Sequence, residues 1–229
     1  KATWFIPGHT IDSFPERSAE VVAAGHEVAH HGYCHESPSR LSDQAEREVM
    51  ELGIDRIKRL TGSAPTGYRA PAGGSSTRTM PLLVEYGFKY DSSLSASDYV
   101  PYWPRVGDDA DNRSGYRFGQ EVDVVEIPTQ WNMEDWTYYE YAPGFSNGGR
   151  TPSHVFKAWT GEFDFMYERV PGGVCVLTLH PESVGRGPRV LVLEQFIQYV
   201  KRHPDVEFRL MRDVAEEFRA EHAVAGGAR

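Results

Sequence analysis

The amino-acid sequence predicts an α/β fold built on a parallel sheet or barrel, and three observations carry that prediction. Short apolar runs alternate with segments of helical period along the whole chain. The polar residues suited to chemistry fall just after the apolar runs, at the carboxyl ends where parallel strands present their sites. The 229 residues, 40% of them hydrophobic, are enough to bury one core of generous size. One domain is therefore assigned to residues 1–222, with a frayed tail of small residues over 223–229.

Ala2 to Ile6 is apolar and strand-like, followed by a helix from about Pro15 to Ala24 with Pro15 in the first turn, where a missing N–H is harmless. Gly25 ends that helix and Glu27 to His30 is a short strand. From Asp43 to about Leu60, Val49, Met50, Gly53, Ile54, Ile57 and Leu60 keep helical period, and Asp43 with Glu46 suggests a capping arrangement. Thr66 to Arg69 reads as a strand, Thr77 to Tyr86 as a helix, and Phe88 to Tyr90 as a strand ending at Asp91. Pro101 to Gln120 is polar, rich in Pro, Gly and Asp, and without period, so a long loop is expected. Val122 to Ile127 is a strand, Ser153 to Val170 a helix, and Val174 to Leu179 an apolar strand that delivers His180 at its carboxyl end. Leu191 to Arg202 is amphipathic, Glu207 to Leu210 strand-like and Asp213 to Ala220 helical.

Thirty-three acidic against 24 basic residues give a formal net charge of −9, without any basic run or stripe. Phosphate-backbone attraction has nothing to act on, which argues against a nucleic-acid partner. No window approaches about eighteen uninterrupted apolar residues, so no membrane span is expected. Two cysteines, Cys34 and Cys175, make no disulfide framework; they fit a reducing, cytoplasmic compartment, with Cys175 as small core filler. Self-association is left open.

Four of the nine histidines fall between His26 and His35, and His31 and His35 are spaced i, i+4. On a strand the pair would stand ~13 Å apart, too far to share one ion. On a helical turn the axial separation drops to ~6 Å and both rings leave one face. Gly32 helps the chain leave the preceding strand. Two imidazoles suit zinc, cobalt, nickel or iron(II), and a hydrolytic site adds a carboxylate and an open position for water. Taken alone, such a pair is more often a solvated or core-satisfied one than a ligand set. Four further strand ends add Arg69-Ala70-Pro71-Ala72-Gly73, Asp91, the Trp131 to Trp136 stretch and His180, in the order of a barrel.

With these segments the chain resembles the polysaccharide deacetylase superfamily (NodB homology, carbohydrate esterase family 4). It is most similar to the branch holding peptidoglycan-deacetylase-like, allantoinase-like and cyclic-imidase-like amidohydrolases. The matching stretches are Ala2 to Phe5, Gly25 to His35, Arg69 to Gly73, Tyr90-Asp91-Ser92-Ser93-Leu94, and Leu179-His180-Pro181-Glu182 with Gly185-Arg186. The resemblance implies a distorted (β/α) barrel of the NodB type, one divalent metal ion, zinc by expectation, and a small amide or N-acetyl sugar as substrate. His31 and His35 match the family's two metal-binding histidines. Arg69 matches the arginine that holds the catalytic-base aspartate ionised, and the backbone NH of Ala72 falls where the family places an oxyanion donor. His180 matches the general acid, and Asp91 falls where a carboxylate holds that imidazole protonated. Trp131 and Trp136 are expected to stack on a sugar or small ring.

The family's first motif, with the base and the metal's carboxylate, would lie upstream of Lys1. The chain is thus expected to lack its amino-terminal first strand, which leaves a secreted or cell-envelope location open. Glu36, Asp91 and Asp135 are nearby acids, none in the matching place. The aromatic usual in the sugar-deacetylase arginine motif is replaced by Ala72. Metal-assisted amide hydrolysis is the reaction implied. Two rivals are a metal-independent cyclic-amide hydrolase, against which both His31 and His35 speak, and a non-catalytic ligand-binding barrel.

Overall fold

The computed structural model describes residues 1–111 and 113–224. In chain order the elements are β1 (Thr3–Ile6), α1 (Gly8–Ser13), α2 (Pro15–Ala23), β2 (Glu27–His30), α3 (Asp43–Thr61), β3 (Gly67–Tyr68), α4 (Thr79–Glu85), β4 (Tyr90–Asp91), β5 (Arg105–Val106), β6 (Gln120–Glu121) and β7 (Val125–Glu126). They continue with α5 (Trp136–Tyr139), α6 (Pro152–Arg169), α7 (Pro181–Val184), α8 (Pro188–Val200) and α9 (Met211–Glu221). The stretch 1–222, expected as one domain, packs as two compact units. The first comprises Lys1–Leu94, Pro101–Ile127 and the chain from Phe208 onward; the second comprises Ser95–Val100 and Pro128–Glu207. Of the tail expected over 223–229, residues 225–229 lie outside the described ones.

The first unit is a parallel sheet in the order β1-β2-β3-β4-β7. Each strand lies beside the one before it in that order, as in a (β/α) barrel wall, without the order reversal of a doubly wound sheet. The register aligns His30 with Tyr68, Tyr68 with Asp91 and Asp91 with Glu126. The residues just beyond, His31, Arg69 and Ser92, therefore emerge along one edge, tied by Arg69 N–H to the His30 carbonyl (3.0 Å) and Ser92 N–H to the Tyr68 carbonyl (3.0 Å). That register is what turns scattered sequence positions into neighbours.

Two apolar clusters cover this sheet. Ile6 and Val28 pack with Ile11 of α1 and Ile57 of α3. Tyr68, Phe88 and Val124 pack with Met50 of α3 and Leu82 and Leu83 of α4. Burying each such side chain contributes roughly 1.5–3 kcal/mol. Gly53 is where α3 crosses β2: a Cβ there would come within 2.2 Å of the His30 ring, so only glycine allows the approach. α9 is docked by a borrowed cap. Its first amides donate to Thr3 Oγ1 (3.0 Å, from Met211) and to Glu27 Oε2 (3.2 Å, from Arg212), groups suited to the positive end of a helix.

The second unit has its own core, with Val155, Trp159, Phe163 and Met166 of α6 against Val192, Phe196 and Val200 of α8, and Tyr99, Met133 and Tyr139 beside them. Four local expectations are corrected. The segment 174–179 forms no regular strand; Thr178 makes one parallel bridge to Glu134, and 207–210 is likewise without a strand. The expected loop 101–120 instead folds back on itself, β5 pairing antiparallel with β6, because Asp109 and Arg117 also bridge across it. The cap of α3 is Ser42, whose hydroxyl accepts from Ala45 N–H, while Glu46 is buried and accepts from the Ser76 and Thr79 hydroxyls (2.6 Å each).

Candidate active site

In the first unit the chain leaves β2 at His31 and makes a tight turn rather than the helical turn that the spacing of His31 and His35 suggested. Two left-handed residues produce it, Gly32 (φ 71°) and His35 (φ 63°). Glu36 fixes it from within, its Oε2 accepting from the N–H groups of Tyr33 (3.1 Å) and Cys34 (2.7 Å). The turn achieves what a helix would have: the His31 and His35 rings meet edge to face with centroids 4.9 Å apart.

His31 Nδ1 lies 2.8 Å from the Arg69 carbonyl. A carbonyl only accepts, so Nδ1 carries the proton and Nε2 keeps its lone pair, the tautomer a metal ligand needs. Burial pushes this imidazole down to about 3, outweighing the carbonyl bond that raises it, so the ring is neutral at ordinary pH. His30, one residue earlier, is a contrast. It is fully buried, contacts the Met50 carbonyl through Nε2 (3.1 Å) and accepts from Gly32 N–H through Nδ1 (3.2 Å), so both nitrogens are used and it is a core histidine.

The donor set fits two positions of a divalent-ion site. Among the described residues no group of three or more His, Cys, Asp and Glu is placed to hold an ion, so no third candidate ligand stands beside the two histidines.

Arg69 donates from Nε to the Ser92 carbonyl (2.8 Å) and from a terminal nitrogen to the Ser92 hydroxyl (2.8 Å), with its guanidinium carbon 4.5 Å from the Phe5 ring centre. Ala72 sits in the short turn Pro71–Gly73 with φ 54° and ψ 22°, left-handed geometry that costs an alanine about 1 kcal/mol or more. No described residue accepts from its N–H, whereas Gly73 and Gly74 donate to the Ala70 and Pro71 carbonyls (3.2 Å each). An unused, oriented N–H beside the histidine turn suits an oxyanion.

In the second unit His180 caps α7, and its Nδ1 lies 2.8 Å from Asp135 Oδ1. Its backbone N–H also donates to both oxygens of that carboxylate (3.1 Å each). The pairing follows from local register: Thr178 N–H donates to the Met133 carbonyl (2.8 Å) and Asp135 N–H to the Thr178 carbonyl (3.2 Å), which brings Asp135 alongside His180. Burial alone would push the imidazole down. The Asp135 carboxylate, helped by Glu134 and Glu182, more than reverses this and raises it.

The carboxylate beside His180 is Asp135, not the Asp91 expected there. Asp91, expected to hold this imidazole, is fully buried at the end of β4, where its Oδ1 accepts from Ser92 N–H (2.8 Å) and the Ser93 hydroxyl (2.5 Å). Its burial pushes the carboxyl up to about 6, and its register partner Glu126 is pushed up too, by burial and then by the charge of Asp91. Asp91 is therefore a core carboxyl, held by its own strand end. Trp131, half exposed at 51%, and Trp136 both contact the Phe145 ring, with centroids 5.1 Å and 6.1 Å away. Together they make an aromatic face on the Asp135–His180 side of this unit.

Residues 1–90 match a family model described as polysaccharide deacetylase. Over 231 residues the chain is 36% identical to the peptidoglycan deacetylase of Helicobacter pylori, an alignment covering 95% of this chain and 78% of that protein. A crystal structure assigned as a polysaccharide deacetylase, from Mycobacterium smegmatis, superposes with a TM-score of 0.82 at 37% identity, covering 99% of this chain and 75% of that one. A crystal structure of an allantoinase superposes at 0.79 with 26% identity, covering 96% and 68%.

Proposed function

The chain belongs to the polysaccharide deacetylase family, a family of hydrolases, and we propose that it removes the acetyl group from an N-acetylated sugar with His180 as the general acid. The observation that carries this reading is the Asp135–His180 pair. A carboxylate 2.8 Å from Nδ1 favours the charged imidazole and aims it, and no described residue takes the proton at Nε2. That proton is available to an amine leaving group, the use a general acid makes of a raised imidazole.

His31 and His35 would hold a divalent ion, zinc in this reading, and when bound it supplies Lewis-acid polarisation of the acyl carbonyl and of water. The neutral His31 ring, with Nδ1 pinned and Nε2 open, supports that assignment. The Ala72 N–H would donate to the acyl oxygen as negative charge develops on it, an interaction absent from the planar ground state and so useful to the rate. Arg69, clamped on Ser92, keeps the strand end that carries the His31 partner carbonyl in place. Trp131 and Trp136 would stack against the pyranose ring and set its orientation.

The likeness to an allantoinase favours one second reading, hydrolysis of a cyclic amide without metal. Elemental analysis together with acetate release from N-acetylated glucosamine oligomers separates the two. About one zinc-like ion per chain, with activity lost to a chelator and restored by zinc, is expected. A metal-free protein that hydrolyses cyclic imides and releases no acetate would overturn the deacetylase reading.

A further inference from the structure

Two fully buried carboxyl groups of the first unit stand at the ends of adjacent strands, Asp91 on β4 and Glu126 on β7. They are register partners in a parallel pair, so their side chains leave one face of the sheet side by side. One oxygen of each is fully engaged. Asp91 Oδ1 accepts from Ser92 N–H (2.8 Å) and from the Ser93 hydroxyl (2.5 Å), and Glu126 Oε1 accepts from the N–H groups of Ser93 (2.9 Å) and Leu94 (2.8 Å). The remaining oxygens, Asp91 Oδ2 and Glu126 Oε2, are buried, and no other donor among the described residues reaches them. What faces them is each other, carboxyl bonded to carboxyl.

Two carboxylates cannot make that bond, since both only accept, and two negative charges in contact in a dry interior repel strongly. One proton between them satisfies both oxygens. It belongs on Glu126 Oε2, donating to Asp91 Oδ2. Burial raises both groups, and the Asp91 charge raises Glu126 further, whereas the bonds from Ser93, Glu126 and Ser92 and the Arg69 cation hold Asp91 lower.

The four bonds this pair accepts all come from the 92–94 loop, and that loop carries the candidate site. The Ser93 hydroxyl that donates to Asp91 accepts from Ala70 N–H (2.8 Å). The Ala70 carbonyl accepts from Gly73 N–H (3.2 Å) and so closes the turn in which Ala72 is left-handed. Ser92 meanwhile donates its hydroxyl to the Ile127 carbonyl (2.8 Å) and holds Arg69, whose own carbonyl faces His31 Nδ1. Only one neutral and one charged carboxyl together supply the four acceptances and an internal donor.

We propose that Asp91 and Glu126 share one proton and act as a positioning pair, locking the 92–94 loop so that the Ala72 N–H stays aimed at the acyl oxygen. The proposal rests on the deacetylase reading, in which that N–H receives the developing negative charge. An interaction made only in the transition state affects kcat and leaves KM, and loosening the loop should do the same.

Ser93→Ala keeps the pair and cuts its link to Ala70. It should lower kcat by about tenfold or more, with KM within about twofold and zinc content unchanged, and should shift the Ala72 amide signal in proton–nitrogen correlation spectra. Glu126→Ala should have the same effect. Glu126→Gln should restore both kcat and the amide signal, because its Oε1 accepts and its Nε2 donates as the protonated acid does. Infrared spectra of the wild type at pH 8 should show the carbonyl stretch of a protonated carboxyl, and Glu126→Gln should lack it. No such band in the wild type, or a Glu126→Gln that loses as much kcat as Glu126→Ala, overturns the proposal. So does a Ser93→Ala with wild-type kcat and an unmoved Ala72 amide, a result that stands even if Glu126→Ala fails to fold. Failure of the deacetylase reading is seen separately, as no acetate from the wild type; the infrared band and the Ala72 amide then test the pair by themselves.

Discussion

In the first unit the His31 imidazole gives its Nδ1–H to a backbone carbonyl at 2.8 Å; in the second, His180 presents Nδ1 to a carboxylate at the same distance. Geometry at the ring is alike, and the shifts are opposite. A carbonyl cannot compensate a buried cation, so burial wins and His31 is neutral. The Asp135 anion overcomes burial, and His180 is raised. The partner of Nδ1 decides what Nε2 can do: bind an ion as a lone pair, or give up a proton. One residue type is thus poised for two different roles by the partner of its Nδ1.

Breaking the first half should have the larger effect. His31→Ala is expected to abolish metal uptake and acetate release together, and metal analysis of the purified variant checks it. His180→Ala should lower kcat by about 10²–10⁴-fold while leaving metal content unchanged. Unchanged turnover would remove His180 from the reaction.

The two carboxylates sharpen the comparison further. Asp91 has a folded-state value raised to about 6 from 3.8, so its protonated form is favoured by folding. That contribution, which Asp91 shares with Glu126, is complete below about pH 4 and lost as pH rises through about 6. Asp91→Asn should flatten that stretch of the stability curve, measured by denaturant unfolding between pH 4 and 7, and leave the alkaline limb of the pH–rate profile where it was. Asp135→Asn should do the reverse. With the anion gone, burial pushes His180 down, and because the acid must be protonated, the alkaline limb should move to lower pH, with kcat reduced by about tenfold.

The strands of the parallel sheet and the long helices were legible because each is written locally, as were the candidate site residues that follow strand-like runs. Ile54 and Ile57 keep the helical period of α3, and His31, Arg69 and His180 each stand where a strand-like run ends. What was not legible depends on packing across distance. Asp135 is 45 residues before His180, with no spacing rule to join them, and reaches it only through the Thr178 backbone register. Asp91 looked like a site acid because it ends a strand, yet Ser92 and Ser93 engage it. The segment 174–179 is apolar enough for a strand, and its pairing is a single bridge. The two histidine rings meet on a different backbone from the helical one expected, since a left-handed φ at His35 has no mark in the sequence.

The most direct test is the protonation of the two imidazoles, read from long-range proton–nitrogen correlation spectra of metal-free protein across pH 5 to 9, with His31→Ala and His180→Ala giving the assignments. His31 should remain a neutral Nδ1–H tautomer throughout, and His180 should be doubly protonated at the acid end and titrate above the ordinary histidine value of 6.5. A His31 that takes up a second proton in this range, or a His180 already neutral at pH 6, would contradict the division of labour between ligand and acid.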